Sequence, residues 1–200
     1  MARSAFCSLK TSTSTTPTLL PLRRTVAVVI SDVPDAGILE GARQRGIAAR
    51  FIAPGKFRAK LDEEAERALV AALEAAQVDL VVLAGFMRIL KGEVLRRFDG
   101  RVVNIHPSLL PAFPGLHAWK QALEYGVKVT GCTVHFVDAG VDSGPIIDQQ
   151  TVPVLDEDSA ESLHQRIQLA EHELYPRCVA AIAQGQIELH GRRVAWLKKR

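Results

Sequence analysis

The sequence predicts an α/β domain: an open, mostly parallel sheet with helices on both faces. Three observations predict it. Short β-branched or continuously apolar runs recur along the chain. Segments with apolar residues at helical spacing separate them. The runs are apolar on consecutive positions, as in strands buried on both faces, and strand–helix alternation favours parallel pairing with helices packed above and below.

The elements follow in order. "TVAVVI" (25–30) is a buried strand. Residues 35–45 read as a helix, with Asp35 as N-cap and Gly46 as the stop. "IAARFI" (47–52) is a second strand, and "DEEAERALVAALEAA" (62–76) a helix whose acidic first turn suits the helix dipole. "VDLVVLAGF" (78–86) is a nearly continuous apolar strand, "GEVLRRF" a short helix and "RVVNI" another strand. A helix from His117 to Tyr125 is stopped by Gly126. "VKVTGCTVHFV" and "PIIDQQTVPV" are two strands forming a mixed or antiparallel edge. Residues 158–184 form a long helical pattern that Pro176 kinks or splits. "IELH" and "RVAWL" form a hairpin around Gly191.

Residues 1–24 differ from the rest. "TSTSTTPT" is low-complexity and has no core-forming period, so the segment reads as a disordered or non-homologous tail ahead of a domain spanning 25–200. It is rich in Ser and Thr and free of acids, as transit peptides are, but it reads as replacing part of the domain rather than as a targeting segment.

The formal charge is +3, but Arg3, Lys10, Arg23 and Arg24 sit in that tail. Setting those four aside leaves −1 over residues 25–200, which excludes a nucleic-acid footprint. No apolar run is long enough for a membrane span. Three widely spaced cysteines, Cys7, Cys132 and Cys178, give neither a disulfide framework nor a CxxC metal pair, and a reduced, cytoplasmic compartment is expected.

The chemistry concentrates at two predicted strand ends, "AGFMRIL" and "NIHPSLLP", where open α/β sheets bind ligands. Asn104 and His106 are two apart on a strand and face one side. Pro107 holds the strand end extended. An amide and an imidazolium together suit a developing oxyanion. The plainer alternative is that both satisfy backbone groups at a strand end. A carboxylate nearby would favour the charged imidazole, and "DAGVDSGPII" offers Asp138 and Asp142. For Asp138, turn chemistry is the better reading. His117 reads as a helix start and His135 as a core histidine. His164 and His172, eight apart on a helix, lack a third ligand. Ser108 lacks the G-x-S-x-G context of a nucleophile, and no metal-ligand spacing occurs.

The segments "AGFMRIL", "NIHPSLLPAFPGLHAWKQALEYGVKVTGCTVHFVDAGVDSGPIIDQ" and "AEHELYP" closely resemble the phosphoribosylglycinamide formyltransferases, from about residue 25 onward. "NIHPSLLP" marks the wider formyltransferase superfamily, and its combination with "PGLHAW", "GCTVHFVD" and "EHELYP" is much more specific. The resemblance implies a Rossmann-like formyltransferase fold. It implies transfer of the formyl group of 10-formyltetrahydrofolate, as co-substrate, to the amine of glycinamide ribonucleotide in purine synthesis. Asn104, His106 and Asp142 match the family's catalytic residues. Met87, Arg88, Ile89 and Leu90, with Asn104 and the loop residues Asp138, Ala139, Gly140 and Val141, match its folate side, and Lys60 is the nearest match to a basic folate contact. The expected partners are these small molecules, without metal, nucleic acid or membrane, in a monomer or homodimer.

Within the superfamily, formyltetrahydrofolate deformylase shares the Asn-His-Asp set. It usually carries an extra N-terminal domain and tends to have a second His where this chain has Pro107. Methionyl-tRNA formyltransferase differs after "SLLP". The sequence also departs from the family pattern. "TVAVVISDVPDAGILEGARQRGI" matches the second strand and helix, whereas the first strand, its glycine-serine-asparagine phosphate loop and the first helix are not found. No phosphate-binding residue is therefore assigned, and a non-catalytic folate-binding remnant is the alternative from a different class. An irregular segment over residues 1–20 and a poorly covered sheet edge beside residues 25–30 are expected.

Overall fold

Val28, Val29 and Ile30 are consecutive and all buried, so both faces of their strand are covered. A computed structural model describes residues 5–11 and 24–197. The chain divides into two compact units, Met1–Val102 and Val103–Arg200.

The first unit contains β1 (Ala5–Thr11), β2 (Arg24–Ser31), α1 (Gly37–Gln44), β3 (Ala48–Phe51), α2 (Glu63–Ala75), β4 (Leu80–Ala84) and α3 (Glu93–Arg97). Its strands lie in the order β3-β2-β1-β4. β2 and β3 are parallel, and β1 runs antiparallel to both β2 and β4. Leu80 to Leu83 of β4 are all buried. Leu39 and Ala42 of α1 pack with Val29, while Leu69 and Leu73 of α2 are almost fully buried. Each buried leucine contributes about 1.5–3 kcal/mol relative to exposure. Asp62 caps α2 by accepting a hydrogen bond from the Ala65 amide at 3.0 Å.

Three expectations are corrected in this unit. Residues 5–11 form a strand, not an irregular tail. The β2 edge is not open, because Phe6 pairs with Ile30 on one side and with Leu83 on the other. Backbone groups at a buried edge require partners, and these residues supply them to β2 and β4 together. The antiparallel direction of β1 differs from the strand–loop–helix that the resemblance implies there. Residues 1–4 and 12–23 lie outside the described residues. Asp35 is not the cap of α1. That position belongs to Ala36, which makes no side-chain capping bond.

The second unit contains β5 (Val102–His106), α4 (Ala118–Tyr125), β6 (Val129–Phe136), β7 (Ile146–Pro153), α5 (Ala160–Ala183), β8 (Ile187–His190) and β9 (Arg193–Trp196). β5, β6 and β7 are successive antiparallel neighbours, and β8 and β9 form a separate hairpin. Thr130 to Phe136 of β6 are all buried. α5 starts at a reciprocal Ser159–Ser162 capping box. It runs unbroken through Pro176, so of the two expected effects, kink or split, the split does not occur. Leu163, Ile167, Ala170, Leu174, Cys178 and Ala181 form one buried stripe that continues on both sides of the proline. That burial outweighs the roughly 3 kcal/mol a helical proline costs.

Together these units give the expected α/β class.

Candidate active site

β5 delivers His106 at its end, almost fully buried. The ring stands between two acceptors. Nε2 is 2.9 Å from the Phe113 carbonyl, and Nδ1 is 3.3 Å from Asp142 Oδ2. A carbonyl and a carboxylate both accept, so each ring nitrogen faces an acceptor. Asp142 sits in the β6–β7 loop in a left-handed conformation, φ 50°. Its Oδ2 also accepts a hydrogen bond from the Gly115 amide at 2.8 Å.

The proline-rich segment after β5 is therefore the positioning element of this pair. Ser108 Oγ donates to the Ala112 carbonyl at 2.5 Å and lies 3.3 Å from that of Phe113. Thr133 Oγ1 donates to the Ser108 carbonyl and accepts from the Leu110 amide and from Gln149. Gly115 has φ +85°, a conformation that glycine adopts without strain, and this lets its N–H turn toward Asp142. Ser108 thus staples a loop and is no nucleophile.

His135 pairs across strands with Asn104. Its Nδ1 lies 2.8 Å from the Phe136 carbonyl and must donate there. Its Nε2 lies 3.7 Å from Asp142 Oδ1 and has no hydrogen-bond partner. Burial pushes the imidazole below its usual range, while the Phe136 carbonyl and Asp142 act the other way. A neutral ring leaves Nε2 as a buried acceptor beside the carboxylate. His135, Phe113 and Gly115 were not legible as site residues. Two act through main-chain atoms, and the third depends on strand register.

Burial pushes the thiols of Cys132 and Cys178 up to about 12, so neither is a nucleophile near neutral pH. Among the described residues, no group of three or more His, Cys, Asp or Glu is arranged to hold a metal ion. No described helix is long and apolar enough to cross a membrane.

The formyl transferase family pattern matches residues 11–179. A phosphoribosylglycinamide formyltransferase of Mycobacterium tuberculosis is 46% identical over 179 residues, covering 86% of this chain and 83% of that protein. The chain belongs to the formyl transferase family. A trifunctional purine biosynthetic protein adenosine-3 of Drosophila melanogaster is 51% identical over 160 residues, and there the chain spans only 12% of the relative's length. Glycinamide ribonucleotide transformylase 1 of Symbiobacterium toebii has 53% identity and a TM-score of 0.81, with 86% of this chain and 81% of that one covered. A formyltetrahydrofolate deformylase of Pseudomonas syringae is less alike, at 29% identity and TM-score 0.77 over 84% of this chain and 55% of its own.

In this formyl transferase, residues expected on the folate side fall in both units. In the first unit, Lys60 forms a parallel bridge with Ile89, and the Ile89 amide donates to the Ala59 carbonyl. Lys60 Nζ lies 4.6 Å from the centre of the Phe57 ring. A cavity of about 550 Å³ is lined by Lys60, Ile89 and Leu90, with Phe57, Lys91 and acidic residues at its walls. Met87 is exposed. Arg88 is internally committed, with Nε 2.6 Å from Asp32 Oδ2 and Nη1 donating to the carbonyls of Phe57 and Arg58. In the second unit, Asp138 Oδ1 accepts from the Gly140 amide and from Ser143 Oγ, the turn role expected of it. Ala139, Gly140 and Val141 form the exposed tip of that loop.

Proposed function

We propose that the protein transfers the formyl group of 10-formyltetrahydrofolate to the amine of 5′-phosphoribosylglycinamide, in purine biosynthesis and in the cytoplasm. The observation that carries this reading is the His106–Asp142 pair, 3.3 Å apart, in a chain 46% identical to a protein named for this reaction.

The amine nitrogen attacks the formyl carbon, forming the new C–N bond, and the carbonyl electron pair moves to oxygen. His106 donates to that oxyanion. Nε2 is committed to Phe113, so the donor is the Nδ1–H, whose 3.3 Å contact with Asp142 is long enough to be shared. Asn104 supplies a second donor from the same strand. A single oxyanion donor contributes roughly 2.7–4 kcal/mol. Asp142 orients His106 through its Nδ1 contact and accepts the proton lost by the attacking amine through a water molecule. Collapse of the intermediate breaks the bond to the folate nitrogen, which takes up a proton and leaves as tetrahydrofolate. Met87 to Leu90, with Lys60 bridged to Ile89, are folate contacts in this reading, as is the Asp138–Val141 loop. All of these partners are small molecules.

The test is to incubate the protein with 10-formyltetrahydrofolate, with and without the nucleotide amine, and follow tetrahydrofolate and formate. Amine-dependent tetrahydrofolate release without formate supports the transferase. Amine-independent formate release identifies a deformylase. Folate binding without either product identifies a non-catalytic remnant.

A further inference from the structure

The β8–β9 hairpin reaches back to the loop that carries Asp142. Arg192 stands in the hairpin's turn, and its Nη2 donates to the Ser143 carbonyl at 2.9 Å, across 49 residues of sequence. At the other end of β9, Trp196 Nε1 donates to the Ile147 carbonyl at 3.1 Å. These two bonds bracket the segment that leaves the loop and enters β7. The hairpin is itself closed, with Ile187 paired to Trp196, His190 to Arg193, and the Leu197 amide bonded to the Gln186 carbonyl.

The bracketed segment has little freedom. A Cβ on Gly144 would lie 1.8 Å from the Phe136 carbonyl oxygen, so the backbones touch there. The Phe136 amide also donates to the Pro145 carbonyl. Immediately before it, Asp142 adopts φ 50°, which a non-glycine residue keeps only when its surroundings hold it. The bonds that Asp138 makes to Gly140 and Ser143 shape the loop from within. They do not tie it to the rest of the unit. The Gly115 amide fixes the Asp142 carboxylate, and Arg192 fixes the backbone one residue further on. A guanidinium suits this work, because its donors are held in a rigid plane and stay charged at all working pH values.

We propose that Arg192 is a positioning residue that holds the Asp142 loop in register with His106. The proposal rests on the reading of His106 and Asp142 as the reacting pair. Its test uses the full chain, ¹⁵N-labelled, as wild type, Arg192→Ala, Arg192→Lys and Asp142→Asn. The readouts are the His106 Nδ1 resonance and steady-state turnover. Asp142→Asn is expected to displace the resonance strongly. Arg192→Ala is expected to displace it in the same direction by less and to lower kcat roughly three- to tenfold, the effect of one charge-assisted hydrogen bond weakened by exposure. KM for the formyl folate should stay near wild type, and Arg192→Lys should restore most of both signals. If Asp142→Asn acts as expected while Arg192→Ala leaves resonance and kcat unchanged, the positioning role is overturned, even where the melting temperature falls. If Asp142→Asn changes neither readout, the catalytic pair itself is wrong and the proposal falls with it.

Discussion

His106 Nδ1 lies 3.3 Å from Asp142 Oδ2, and main-chain groups of one loop approach the pair from both sides. The Phe113 carbonyl accepts from the histidine, and the Gly115 amide donates to the aspartate. Each of these main-chain groups has the polarity that its side-chain partner needs for a hydrogen bond. The loop therefore fixes the orientation of both side chains through main-chain groups.

The first prediction concerns that pair. His106→Ala removes the oxyanion donor and should lower kcat by about a hundred- to a thousandfold, the effect of one such donor. Folate affinity should change little, because Met87 to Leu90 lie on other elements. Asp142→Asn should also lower turnover severely, because it withdraws the charge beside His106. Steady-state kinetics with parallel folate titrations checks both. Near-normal turnover of His106→Ala would overturn the assignment.

Much of this site is legible in the sequence, and the illegible part has identifiable causes. Strand period puts Asn104 and His106 on one side, and the carboxylate sought for the imidazole leaves Asp138 and Asp142 on offer until the resemblance chooses Asp142. The α2 helix follows from its apolar period, although Asp62, read as part of its first turn, is the cap. By contrast, Phe113 and Gly115 act through carbonyl and amide groups that every residue carries. His135 looks like any core histidine until the register sets it opposite Asn104. The β1 strand is decided by the backbone needs of β2 and β4, which no local pattern in residues 5–11 announces. Pro176 signals a break that the buried stripe of α5 overrides.

The second prediction uses His135, whose pKa is pushed down from 6.5 chiefly by burial. In the unfolded chain the ring takes up a proton near 6.5, while in the fold it resists. The unfolded state thus binds more protons just below that pH, and stability falls as pH falls through the same range. His135→Gln, which cannot titrate, should flatten this acid-side slope. Urea unfolding midpoints measured at intervals from pH 7.5 down to 5 would show it. An unchanged slope would mean the ring is already charged in the native state.

The third prediction runs in the opposite direction. Burial raises Glu171 from 4.5 to about 7. Here the native state holds the proton longer than the unfolded chain does. Glu171 therefore lowers stability as pH rises from about 4.5 to 7, by on the order of 3 kcal/mol in all. Glu171→Gln should be more stable than wild type above pH 7 and nearly equal to it near pH 4.5. Because His135 and Glu171 act with opposite signs between 4.5 and 6.5, wild type alone would show a shallow profile there. The two variants should separate into slopes of opposite sign.

The fourth prediction distinguishes a structural arginine from a ligand-binding one. Arg88 lies in the segment expected to meet folate, yet its side chain is 17% exposed and paired with Asp32, whose side chain is 6% exposed. The same guanidinium donates to the Phe57 and Arg58 carbonyls, so one side chain ties the loop after β2 and the loop after β3 to the segment after β4. Removing one partner of such a pair leaves the other charge buried. Arg88→Ala should therefore destabilise the protein by about 3–5 kcal/mol. Arg88→Lys keeps the charge but not the planar fork, and should lose less, roughly 1–3 kcal/mol for the unmade hydrogen bonds. Asp32→Asn combined with Arg88→Met should recover part of the loss, because neither position is then an unpaired ion. Chemical unfolding of the three variants without folate provides the measurement. An arginine whose only role was to contact the ligand would leave all of these unfolding curves close to wild type and change folate affinity alone.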